Sequence, residues 1–168
     1  MLHKLLDAHT CAECRFCCSF RRQSLWELPE LTPDFAEKHV RDVNGDRIDY
    51  IFMEKNGVRY AVTDLTGRYV SDDENEEVKC PFLDENTGCV LSDDKPFDCM
   101  IWPLRVVRKP DGGTAIAIAS TCPGMDKVPD EKILELLEEG LAGRIYECAS
   151  EHPGMIKECT EEYRILDR

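Results

Sequence analysis

Apolar positions follow two different rhythms along this chain. From Pro129 onward, Ile133, Leu134, Leu137, Leu141 and Ile145 recur at three- and four-residue steps with acidic residues between them, the spacing of a helix that buries one stripe. Earlier, Asp49 to Glu54 and Val58 to Thr63 are β-prone runs joined by Lys55-Asn56-Gly57, which predicts a hairpin. A second hairpin is expected where Arg105-Val106-Val107-Arg108 and Thr114 to Ala119 flank Pro110-Asp111-Gly112-Gly113. That glycine pair reads as a turn rather than a phosphate cradle.

Thr32 followed by Pro33 marks a helix start, with Thr32 as N-cap, and Asn44-Gly45 marks its expected end. Residues 2 to 28 read as helical on either side of a cysteine run that must itself curl, and a last helix is expected after Pro153-Gly154. The fold class expected is α+β. It would be a single domain over residues 1–168, with N-terminal cysteine-bearing helical segments, two β-hairpins and C-terminal packing helices from about residue 129 around a metal site.

At 168 residues the chain is long enough to build a core without stapling, and 42% hydrophobic with 33% charged residues is ordinary for a folded protein. Its formal net charge of -13 argues against binding a nucleic-acid backbone or an anionic membrane surface. Part of that charge sits in Ser71-Asp72-Asp73-Glu74-Asn75-Glu76-Glu77, a run that could dock a basic protein partner or substrate but is more often a solvated loop. The opening MLHKLLDAHTC has no long apolar segment, so neither signal peptide nor membrane anchor is expected there, and the longest apolar run elsewhere is Ala115 to Ala119. The compartment expected is the reducing cytoplasm, where grouped thiols point to metal or redox chemistry rather than disulfides.

The 10 cysteines are grouped. Cys11, Cys14, Cys17 and Cys18 lie in one short run, followed by Cys80, Cys89, Cys99 and Cys122. The spacing Cys11-x2-Cys14-x2-Cys17 is the three-ligand half of a ferredoxin-type site, whose remote cysteine often precedes proline, as Cys80 and Cys122 both do. Adjacent side chains diverge, so Cys17 and Cys18 are not expected to share one ion. Either two sites flank the pair, or one of the two is a thiol beside a cluster. Cys148 continues the apolar stripe through Ile145 and is better read as core, and Cys159 likewise. The histidines, His3, His9, His39 and His152, read as surface or capping residues, with His9, near Cys11, the one placed to complete a mixed site.

These residues resemble the YkgJ-type cysteine-cluster proteins, a family of zinc- or iron-chelating domains with the pattern CxxCxxCC, which Cys11 to Cys18 match. The likeness spans about residues 11 to 125 and continues through Cys80-Pro81-Phe82-Leu83, Gly88-Cys89-Val90-Leu91, Lys95-Pro96-Phe97-Asp98-Cys99 and Pro103. Lys95, Met100 and Trp102 depart from the family's usual residues, without touching a candidate ligand. The signature is also similar to that of the larger flagellin lysine methylases, iron-sulfur proteins that transfer methyl from S-adenosylmethionine; the resemblance implies iron-sulfur rather than zinc, but not a methylase, since this chain is short and shows no Gly-rich nucleotide loop after a strand.

The reading expected is a metal-binding protein holding an iron-sulfur cluster, of the 4Fe-4S type, through Cys11, Cys14, Cys17, Cys18, Cys80, Cys89, Cys99 and Cys122. The alternative is a zinc module with one or two closed four-cysteine sites, since thiolates serve both metals. No HExxH motif, nucleophile motif or distinctive carboxylate pair stands out, so catalysis is not assigned.

Overall fold

The computed structural model describes residues 2–5 and 13–166. Cys11 and His9 lie outside them. The protein is α+β, and the chain divides into two compact units, one from Ala12 to Pro96 and one from Phe97 onward that includes the first residues.

In the first unit, the segments flanking the cysteine run are not the α-helices expected. Phe16–Cys18 is a single tight helical turn, Ser19–Phe20 is a short strand β1, and Arg22–Glu27 is a narrow three-residue-per-turn helix. The first helix, α1, is Pro33–Lys38. The Thr32 hydroxyl accepts a hydrogen bond from the Phe35 N–H, as its N-cap position requires. It ends well before Asn44-Gly45. The His39 ring lies 4.3 Å from that of Phe35, and its carbonyl accepts from the Tyr50 hydroxyl, so the chain leaves the helix at His39. The expected terminator Gly45 instead serves the turn from Asp42 to Asp46, with φ of 86°.

The first predicted hairpin forms as β2, Tyr50–Lys55, and β3, Val58–Thr63, closed by Asn56 and Gly57, both at positive φ. Strand β4, Val78–Lys79, pairs antiparallel with β1, while β5, Leu83–Asp84, and β6, Gly88–Cys89, make a third small pair. Three small apolar clusters hold the unit, around Leu65, Ala61 and Phe82. The acidic run is folded rather than loose: the Glu76 carboxylate accepts from the Val70 and Ser71 N–H groups, and Arg22 hydrogen-bonds the Ser71 and Asp73 carbonyls.

In the second unit, helix α2, Phe97–Ile101, leads into β7, Leu104–Arg108, and β8, Thr114–Ala119, the second predicted hairpin. Side chains alternate across a strand. Leu104, Val106, Ile116 and Ile118 therefore face a large core with Ile133, Leu141 and Ile145, while Val107, Ala115 and Ala117 pack with Tyr163 on the opposite face. The long C-terminal helix is broken. Helix α3, Asp130–Leu136, and helix α4, Ala142–Glu151, are joined through a wide turn in which Gly140 has φ of 109°.

Among the described residues no helix follows Pro153-Gly154 beyond one turn. Instead β9, Lys157–Glu158, lies parallel to β7, and β10, Tyr163–Ile165, lies antiparallel to β8, completing a four-stranded sheet in the order β10-β8-β7-β9. The hairpin alone would leave both edges open, and the tail covers them. Among the described residues no helix is long and apolar enough to cross a membrane.

Candidate thiol metal centre

A left-handed residue begins the site. Arg15 has φ of 53° and ψ of 7°, a conformation that costs an L-residue energy, and its carbonyl accepts from the Cys18 N–H at 3.0 Å. This curl, required by the cysteine spacing, brings the Cys17 and Cys18 sulfurs to 4.0 Å.

Strand pairing brings a cysteine distant in sequence beside this run. With Ser19 opposite Lys79 and Phe20 opposite Val78, the β1-β4 ladder runs on into the cysteines, and the Cys80 N–H donates to the Cys18 carbonyl at 2.7 Å. The Cys80 carbonyl accepts from Leu83, and Leu83 pairs with Cys89 across β5 and β6. The turn presenting Cys89 is organised by Asp84, whose carboxylate accepts from the N–H groups of Asn86 and Thr87. Behind Cys80, the Pro81 carbonyl accepts from Val43, tying the site to the Asp42–Asp46 turn.

The Asp42 carboxylate organises that turn. It accepts from the N–H groups of Asn44 and Asp46, and Arg68 lies 2.9 Å from its other oxygen. Burial alone would raise the Asp42 pKa, yet these N–H groups and Arg68 outweigh it and hold the carboxyl below the ordinary carboxylate value.

Electrostatics mark Cys17, Cys80 and Cys89 as one neighbourhood. The Cys17 thiol is pushed up, first by the hydrogen bond shared with Cys18, then by lost hydration and the charge of Cys18, with Lys95 pulling the other way. Burial pushes Cys80 up to about 11. The Phe82 N–H and Arg68 oppose that, and the charges of Cys89 and Cys17 add to it. Tyr50 is raised to about 12 by burial and by the charge of Cys80. The raised Cys17 and Cys80 thiols keep their protons near pH 7 unless a cation takes their place, which is what a soft metal does to a thiol.

Among the described residues no three histidine, cysteine, aspartate or glutamate side chains converge closely enough to hold one ion. Cys14 is exposed on the same run. Cys99, in α2, is half-buried and Cys122 is buried, both in the second unit. Cys148 packs beside the main core with its thiol 3.5 Å from the Met155 sulfur, and Cys159 packs beside Tyr163, as their apolar reading expected. No disulfide joins the described cysteines.

Lys95, Arg68 and Tyr50 interact electrostatically with the thiols, Lys95 with Cys17 and Arg68 and Tyr50 with Cys80, and were not assigned a role there from the sequence. A cation in a cysteine-proline-rich segment was the available signal for Lys95, but Arg68 and Tyr50 reach the site through tertiary packing. No family model matches this chain, and no curated protein or solved structure matches it either.

Proposed function

We propose that this chain is a cysteine-thiolate metal protein of the reducing cytoplasm, and that Cys17, Cys18, Cys80 and Cys89, with Cys11 and Cys14 on the same run, hold an iron-sulfur cluster. The observation that carries the reading is the antiparallel pairing of β1 with β4, which sets Cys80 beside Cys18 although they are far apart in sequence. The donors suit a soft metal: they are all sulfur, Cys17, Cys80 and Cys89 feel one another's charge, and Lys95 near Cys17 and Arg68 near Cys80 would offset the negative charge that several thiolates would gather. A cluster held there would supply electron transfer or, following the resemblance to lysine methylases, support methyl transfer. Cys99 and Cys122 are proposed as further ligands from the sequence pattern alone.

One distance favours zinc as a second reading. Two thiolates on a tetrahedral ion with a metal-sulfur bond of about 2.3 Å lie about 3.8 Å apart. The Cys17 and Cys18 sulfurs are 4.0 Å apart, close to that spacing.

Purification without oxygen, followed by iron, sulfide and zinc analysis and a visible absorption spectrum, separates the readings. Brown protein with iron and sulfide in equal amounts supports the cluster, and colourless protein with stoichiometric zinc supports the second reading. Cys14→Ser, Cys17→Ser and Cys80→Ser should lose metal, whereas Cys148→Ala should keep it. Equal metal content in all four variants would refute both.

A further inference from the structure

Strand β2 pairs with β3 on one side and has no strand on the other among the described residues. In that ladder Asp49 accepts from the Asp64 N–H, so Ile51 and Met53, two and four residues on, also bond toward β3. The backbone N–H and C=O groups of Tyr50, Phe52 and Glu54 consequently point away from it, along an open edge. Ile51, Phe52 and Met53 are each 44 to 45% exposed on this edge. Native proteins usually blunt such an edge with charge or proline, and three consecutive large apolar residues do the reverse.

We propose that this edge is the face by which two copies of this chain pair, strand β2 against strand β2, antiparallel about a twofold axis at Phe52. The sequence of the strand is complementary to itself in that register. Phe52 meets Phe52 of the second copy, and Tyr50 meets Glu54. On the opposite face of the strand Ile51 meets Met53 and Asp49 meets Lys55, each pair occurring twice by symmetry. Every outward backbone group from Tyr50 to Glu54 then finds a partner.

The length of the open edge agrees. Before Asp49 the edge is already taken, since the Ile48 N–H donates to the Val40 carbonyl, and the second copy's strand ends at Lys55, opposite Asp49. A groove of about 510 Å³ borders the edge there, lined in part by Val40, Tyr50 and Phe52 and rimmed by Arg41 and Arg47. It lies where the second copy's Glu54 arrives; Glu37 and Asp49 line it too, and Arg47 already pairs with Asp49 at 3.4 Å, so Arg41 is the guanidinium left to meet the incoming carboxylate. This pairing does not depend on the metal reading.

The test is sedimentation equilibrium of the protein as purified, from about 1 µM to 1 mM, a range that covers weak but specific interfaces. A concentration-dependent dimer is expected. Asp49→Lys, which sets lysine opposite Lys55 twice, should weaken it about tenfold or more, and adding Lys55→Asp to that variant should restore it to within about threefold. Phe52→Lys should abolish it. Asp49 and Phe52 are exposed and Lys55 is half-buried, and unchanged circular dichroism would show that the variants fold. A protein monomeric throughout that range would overturn the proposal, as would a dimer indifferent to Asp49→Lys and Phe52→Lys, or a charge exchange that fails to restore pairing.

Discussion

Replacing Asp98 with alanine should be among the most damaging single changes in the second unit. Asp98 and Arg105 are 2% and 3% exposed, and an Arg105 Nη1–H donates both to the Asp98 carboxylate at 2.5 Å and to its main-chain carbonyl at 3.0 Å. Asp98→Ala removes the anion and leaves the guanidinium in the interior with the carbonyl still in reach. Breaking a buried pair in this one-sided way costs about 3 to 5 kcal/mol, and the surviving carbonyl argues for about 3. In a chain of this size that corresponds to a fall in Tm of about 6 to 12 °C.

Urea unfolding followed by Trp102 fluorescence would measure this change. A Trp26→Phe background silences the other of the two tryptophans, which lies in the first unit. The double replacement Asp98→Leu with Arg105→Met should recover most of the loss, because it buries apolar volume instead of an orphaned charge. An Asp98→Ala cost below about 1 kcal/mol would refute the reasoning that this pair is interdependent.

Three other outcomes follow from the same logic. The Asp42 carboxyl is held below its ordinary value in the fold, so its contribution is complete above the unfolded value near 3.8 and is lost as pH falls through the folded one. The stability gap between the protein and Asp42→Asn, from urea titrations at several pH values, should therefore be widest near neutrality and close in acid; a gap that widens below pH 4 would contradict it. Thr32→Ala should cost about 1 kcal/mol in urea unfolding through loss of the cap on the Phe35 N–H. Gly140→Ala should cost about 1 kcal/mol by the same measurement, for backbone conformation alone, since a Cβ there meets nothing within 4 Å.

Much of the local structure could be read from residue order. Asn56-Gly57 and Gly112 place two hairpins because their positive-φ demands are satisfied within a few residues, and Thr32-Pro33 starts a helix for equally local reasons. The spacing of the cysteines demanded a curl, and Arg15 provides it. The end of α1, the break at Gly140 and the strands in place of a last helix were not legible. Each is decided by distant partners: His39 by Phe35 and Tyr50, the tail by the open edges of the β7-β8 hairpin.

The candidate site divides in the same way. That Cys17 and Cys18 lie side by side follows from their adjacency in one short run, a local property. That Cys80 lies beside Cys18, with Arg68, Lys95 and Tyr50 around the thiols, depends on the pairing of β1 with β4 and on burial around Cys80. Such pairings join segments far apart in the chain, and their energy comes from removing apolar area from water and closing backbone hydrogen bonds. No window of sequence contains both sides of that exchange, so the tertiary structure alone decides it.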